Sequence, residues 1–241
     1  MWRLIAVACA LCALGVRANT LGDLKSAVGR LAARQPVHAT YATDTAMKAS
    51  GKFANESSTR RVTAEVGQDA NGVTITIAQA LIEKAGVGAG ADDAKNEISG
   101  IRSMEIVEAL NYRDALLHVL NYSTVAEEKR VPFRGRTARL LVMTVKEPLR
   151  KEGGINIGSV KSAEDRLSVW IGDDNLPLAA ERVQKIIVGF LMFKSESVNR
   201  TSLTFAQAGD RLILARLETS ANGSVMGQNV GATSVQTLTV H

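Results

Sequence analysis

Cysteine is almost missing from this 241-residue chain: its only two, Cys9 and Cys12, fall inside an apolar stretch at the start. A thiol nucleophile, a cysteine-ligated metal and a disulfide scaffold are therefore excluded downstream of residue 18, and that part must stand on its own core. Histidine is as scarce. His38, His118 and His241 are scattered, and His118 has no His or Cys three or four positions away, so no ligand set is spelled out and no metal is expected. Only nine aromatic residues follow residue 18, and mixed runs such as Glu127-Glu128-Lys129-Arg130 replace any one-signed basic stripe. Nucleic acid, which needs such a stripe with stacking rings, is not expected as a partner. No Gly-x-Ser-x-Gly elbow occurs, and Gly86-Val87-Gly88-Ala89-Gly90 lacks the Lys-Ser/Thr ending of a phosphate loop. The expectation is a protein that is not an enzyme, with no catalytic residues and no cofactor.

What is present begins with an export pattern. Met1-Trp2-Arg3 carries one positive side chain, residues 4–16 carry no charge, and Val16-Arg17-Ala18 supplies small or modest residues before Asn19. A basic start, an apolar middle and a small-residue end make up a secretory signal peptide. A membrane-crossing helix needs about 20 apolar residues, more than this run holds. Residues 1–18 are read as a cleaved signal, cut between Ala18 and Asn19, and residues 19–241 as one periplasmic domain. Losing Arg3 and Arg17 takes the net charge from +5 to +3. Beyond the signal the longest apolar run, residues 186–193, is only strand-sized.

The rest alternates between two periods. Leu21, Leu24, Val28 and Leu31 at helical spacing predict an N-terminal helix capped by Thr20 and stopped by Pro36. From Val37 the period becomes two: residues 37–43, 58–66 and 72–77 predict three strands of an antiparallel meander, with Arg61, Thr63 and Glu65 on one face. Residues 103–120 predict one central helix, with an apolar stripe of Ile106, Ala109, Leu110, Leu116, Leu117 and Leu120. Strands follow over residues 138–145, 164–172, 176–183, 185–196, 201–208, 211–219 and 233–240, with Asp173-Asp174-Asn175 and Gly209-Asp210 as turns. Both faces of residues 186–193 are apolar, which a strand needs when both its sides are covered. About ten strands and a few helices describe an α+β domain built on one large antiparallel sheet.

Residues 167–178, Leu-Ser-Val-Trp-Ile-Gly-Asp-Asp-Asn-Leu-Pro-Leu, resemble the central hairpin of the lipoprotein-localisation (LolA-like) superfamily. The order of elements is similar along most of residues 19–241. The segments 209–212 and 223–227 are similar to an exported bacterial branch of that superfamily. The resemblance implies a large curved antiparallel sheet, a half-open barrel, with N-terminal and central helices packed on it. It implies a periplasmic protein that binds or carries a lipid, lipoprotein or other acylated ligand in a hydrophobic cavity. Leu116, Leu120, Trp170, Phe190 and Phe193 are the residues expected to border that cavity. The alternative is a protein–protein interaction or sensory module of the envelope, with the same fold and a filled interior.

Overall fold

The structure, a computed structural model, describes residues 19–50, 55–86, 92, 95, 98, 101, 103–146, 159–190, 193–225 and 228–241. The signal-peptide reading of residues 1–18 therefore lies outside the described residues, Asn19 excepted, and so does most of the glycine-rich stretch 87–100.

Helix α1, Thr20–Gly29, opens the described chain. Its cap is Asn19 and not Thr20: the Asn19 side chain accepts from the Gly22 N–H at 3.1 Å. Thr20 is buried, and its hydroxyl donates to Glu128 at 2.6 Å. The helix also ends well before Pro36. Ala33 takes the left-handed conformation (φ 53°) and gives its N–H to the Asp210 carbonyl at 3.0 Å, turning the chain out of the helix. Leu24 and Val28 are buried at the helical spacing seen in the sequence.

Ten strands then form one antiparallel sheet: β1 Val37–Ser50, β2 Asn55–Asp69, β3 Gly72–Thr76, β4 Ser123–Phe133, β5 Arg136–Val145, β6 Ser159–Ile171, β7 Pro177–Phe190, β8 Phe193–Ala208, β9 Arg211–Val225 and β10 Gln228–Val240. Their order is β3-β2-β1-β10-β9-β8-β7-β6-β5-β4, so the sheet is open and β10 lies between β1 and β9. Each strand pairs with its sequence neighbour except at β1–β10, which joins the two meanders. The predicted alternation holds: Val37, Ala39, Tyr41 and Thr43 are buried in β1, and Val62, Ala64 and Val66 in β2, while Arg61, Thr63 and Glu65 are exposed.

Helices between the third and fourth strands include α2 Gln79–Gly86, α3 Ser103–Leu110 and α4 Arg113–Asn121. The single helix expected over residues 103–120 is two. The break comes at Tyr112, whose N–H goes to the Leu212 carbonyl of β9 at 2.8 Å rather than to the preceding turn. A tertiary hydrogen bond overrides a helical period that is unbroken in sequence. The stripe itself packs as predicted, with Ile106, Leu110 and Leu120 fully buried.

Two further expectations are corrected. Strand β4 carries no strand signal in the sequence, because its exposed run of residues 124–130 offers no apolar alternation. Residues 186–193 are not one strand. They span the end of β7 and the start of β8, with Phe190 directly opposite Phe193. Correspondingly, residues 176–183 and the start of 185–196 form one continuous strand.

One core holds the assembly together. It gathers Leu24 and Val28 of α1, Ile106 and Leu110 of α3, Leu116 and Leu120 of α4, and inward residues from β2 at one end of the sheet to β5 at the other. Laid flat, β2 and β5 would stand about 34 Å apart at about 4.8 Å per strand. Sharing one set of helices requires the sheet to curve around them. Arg113 ties the helices to one another by donating to the Leu31 carbonyl just past α1 at 2.7 Å. Asp210, in the β8–β9 turn, accepts from the backbone N–H groups of Arg34 and Gln35 at 2.9 and 3.1 Å and fixes the entry into β1.

Candidate functional site

Directly paired residues of neighbouring strands project to the same side of a sheet. The register therefore traces the helix-bearing face from strand to strand. Beneath the helices the row contains Leu141, Val169, Ala180 and Leu203, all buried. One step further along the strands, Met143 and Leu167 lead into Arg182, Thr201, Thr219, Ser234 and Thr45. The next row is Asp165, Gln184, Asn199, Ala221, Ala232 and Met47. Over two such steps, about 13 Å, one face changes from apolar and buried to largely hydroxyl- and amide-bearing and only partly buried.

A charged pair marks the boundary. The Arg182 guanidinium grips the Asp165 carboxylate in two-point fashion, Nε to Oδ1 at 2.9 Å and Nη2 to Oδ2 at 2.6 Å, and Gln184 Nε2 adds a bond to Oδ2 at 3.0 Å. Both charged side chains are largely buried, so each needs the other: a partly desolvated charge left alone is costly. Elsewhere on the face, Glu105 of α3 accepts from Gln236 of β10 at 2.9 Å, pinning helix to sheet. Partial desolvation, and next the neighbouring Glu105, raise Glu108 above the ordinary carboxylate value. Burial pushes the Tyr112 phenol up to about 12, with Glu108 adding to the rise and Arg182 opposing it. The Tyr112 ring packs 5.6 Å from Phe205.

The histidines lie elsewhere. His118 meets Tyr122 edge-on at 5.1 Å, and His241 bonds Thr40 at 2.8 Å near the start of β1. Among the described residues, no group of three or more His, Cys, Asp or Glu is placed to hold a metal ion. This partly buried face thus offers hydrogen-bond donors and acceptors beside one neutralised charge pair. That is the chemistry of binding.

The five residues expected to border one cavity are not brought together. Leu116 and Leu120 are buried under α4 within the core. Trp170 lies on the opposite side of the sheet, since its neighbours Val169 and Ile171 face the core. Its ring stacks on Phe133 at 5.5 Å, and the Arg134 guanidinium sits 5.2 Å from the Phe133 ring. Arg134 and Gly135 have positive φ (49° and 79°), the two-residue turn that lets the β4–β5 hairpin bring Phe133 onto Trp170. Phe190 and Phe193 are paired at the far end of β7 and β8, and their side chains lie outside the described residues.

Sequence reasoning missed Asp165, Arg182 and Gln184. The signal was there in the alternation. Asp165 shares its parity with Leu167, Val169 and Ile171, so a charge occupies an inward position of an otherwise apolar strand face.

No protein-family model matches the chain, and no curated protein matches it. Among solved structures, it is similar to a DUF1329 family protein from Desulfovibrio piger, with a TM-score of 0.30 and 10% identity over 89% of each chain. It is also similar to MucB, solved in complex with MucA(peri), with a TM-score of 0.22 and 9% identity over 90% of this chain and 93% of that one. Overlaps of that size carry no argument about this chain.

Proposed function

We propose that this chain is a non-enzymatic binding module of the cell envelope that engages a protein partner through the polar, less deeply buried part of its helix-bearing face. Placement in the envelope rests on the basic, apolar and small-residue order of residues 1–19. One observation carries the binding mode. The apolar part of the face is already occupied by the chain's own Leu110, Leu116 and Leu120, whereas the half-buried part presents Thr201, Thr219, Asn199 and Gln184 around the Arg182–Asp165 pair. Polar groups gain by meeting a ligand that hydrogen-bonds in return, and a polypeptide does so where an acyl chain leaves them unpaired. A curved, half-open sheet with helices on one side suits this use.

A second reading, capture of an acyl chain, is favoured by one feature. Met47 and Val230 are exposed towards the same end of β1 and β10, and Met104 and Val107 on α3 are exposed as well. Each methylene buried there would contribute about 0.8 kcal/mol.

Photo-crosslinking in an exporting bacterial host separates the two. A photoreactive residue at Asn199, on the polar part of the helix-bearing face, should yield a polypeptide adduct, and one at Glu218, on the opposite face, should not. An adduct of lipid mass at Asn199, or equal polypeptide adducts at both positions, would overturn the proposal.

A further inference from the structure

The two edges of the sheet are built differently. At one edge β4 carries a register shift between Val125 and Glu127, four successive charges at Glu127, Glu128, Lys129 and Arg130, and Pro132 near its end. Bulges, edge charges and proline are the devices that stop a further strand from adding. The other edge has none of the backbone devices. There β3 covers only residues 65–69 of β2. Residues 55–64 pair with β1 on one side without a register shift, and among the described residues no strand lies on their other side.

An unpaired strand edge presents alternating N–H and C=O groups, and their natural complement is another extended backbone. Ten residues of β2 give about 33 Å of such edge. Its charges are Glu56, Arg60 and Arg61, and the arginines stand together at the middle. Both are exposed, and the Arg61 contact to Asp44, at 3.6 Å between exposed groups, leaves most of its charge available. A second copy of the chain is disfavoured here. In the antiparallel registers of greatest overlap, the Arg60–Arg61 pairs of two copies would fall opposite or diagonal to each other, and like charges so placed repel. An acidic strand meets attraction at the same positions.

We propose that residues 55–64 of β2 form a strand-addition site for an extended acidic segment of a partner protein, which extends the sheet beyond β1 and abuts β3. This deepens the interaction reading above and rests on it. Arg60 projects on the same side as Thr45, Ser234 and Thr201, so a segment added there continues the partly buried polar face.

The test uses the chain from Asn19 onward and a labelled peptide of about ten residues, the length of this edge, alternating Glu and Val, beside a Lys–Val counterpart. The Glu peptide should bind saturably and more weakly as salt rises, the Lys peptide should not, and amide exchange should slow in residues 55–64 and not in β4. Arg60→Glu with Arg61→Glu should weaken binding at least tenfold without moving the melting transition. Of Thr59→Pro and Arg60→Pro, one removes an N–H that faces the open edge; whichever leaves the melting transition in place should also abolish binding. No binding, equal binding of both peptides, protection at β4, or protection that appears only with dimerisation would each overturn the site. If a polypeptide adduct still forms at Asn199 while the peptide fails, the edge site falls and the interaction reading stands. If neither is seen, both fall.

Discussion

Asp210 holds the β8–β9 turn against the segment that leads from α1 into β1, and it does so with a carboxylate on backbone N–H groups. The N–H groups of Arg34 and then Gln35 hold its carboxyl below the ordinary value. A depressed folded value means that the contribution to stability is complete above the unfolded value of about 3.9 and is lost as pH falls through the folded value. Asp210→Asn should therefore melt below the wild type at neutral pH, and the gap should close in acid. Thermal melts of both proteins from neutral pH down to about pH 2–3, below that value, check this; a gap independent of pH would refute the assignment. Tyr112 behaves in the opposite sense. Its phenol is raised to about 12 chiefly by burial, so between about 10 and 12 the unfolded chain releases a proton that the folded chain keeps. Stability should fall across that window by at most about 2–3 kcal/mol, and Tyr112→Phe should flatten the slope. Denaturant melts at alkaline pH, beside an absorbance titration of the tyrosines, provide the measurement.

At the scale of elements, α4 decides between a filled interior and a cavity. Leu120 is fully buried, and its neighbours are the chain's own side chains. Leu120→Ala should cost about 2–5 kcal/mol in a denaturant melt. A cost below about 1 kcal/mol, together with altered binding of a fluorescent lipid probe, would mark it as cavity-lining instead. Sequence made most elements legible where an apolar period met a single face: β1, β2 and the helical stripe read correctly because the core sits on one side of each. It failed where another force set the outcome. The break at Tyr112 depends on the Leu212 carbonyl, more than ninety positions away. Strand β4 is an edge strand whose exposed charges erase the period. The apolar run 186–193 crosses a hairpin, and a continuous run of one character gives no sign of where it turns.

For the whole molecule, composition and period were enough for the α+β class and the antiparallel sheet, because ten alternating segments with few helices leave little else to build. The candidate site was less legible. Leu116 and Leu120 proved to be near neighbours in the core, but Trp170, which shares their apolar character, lies across the sheet, and parity along β6 decides that. The polar face emerged only once register had aligned Arg182, Thr201 and Thr219 in one row.

Strand order also sets a sequence of events in time. The meander β1–β3 and the meander β4–β9 can each form from residues that precede β10, yet among the described residues the strand joining them is β10, the last of the ten to be synthesised. Loop closure over that separation comes late and is entropically costly. A chain emerging from a ribosome or threading through a pore cannot complete this sheet until β10 arrives. Until then the inner edges of β1 and β9 stay unpaired, each a surface on which a chaperone could act.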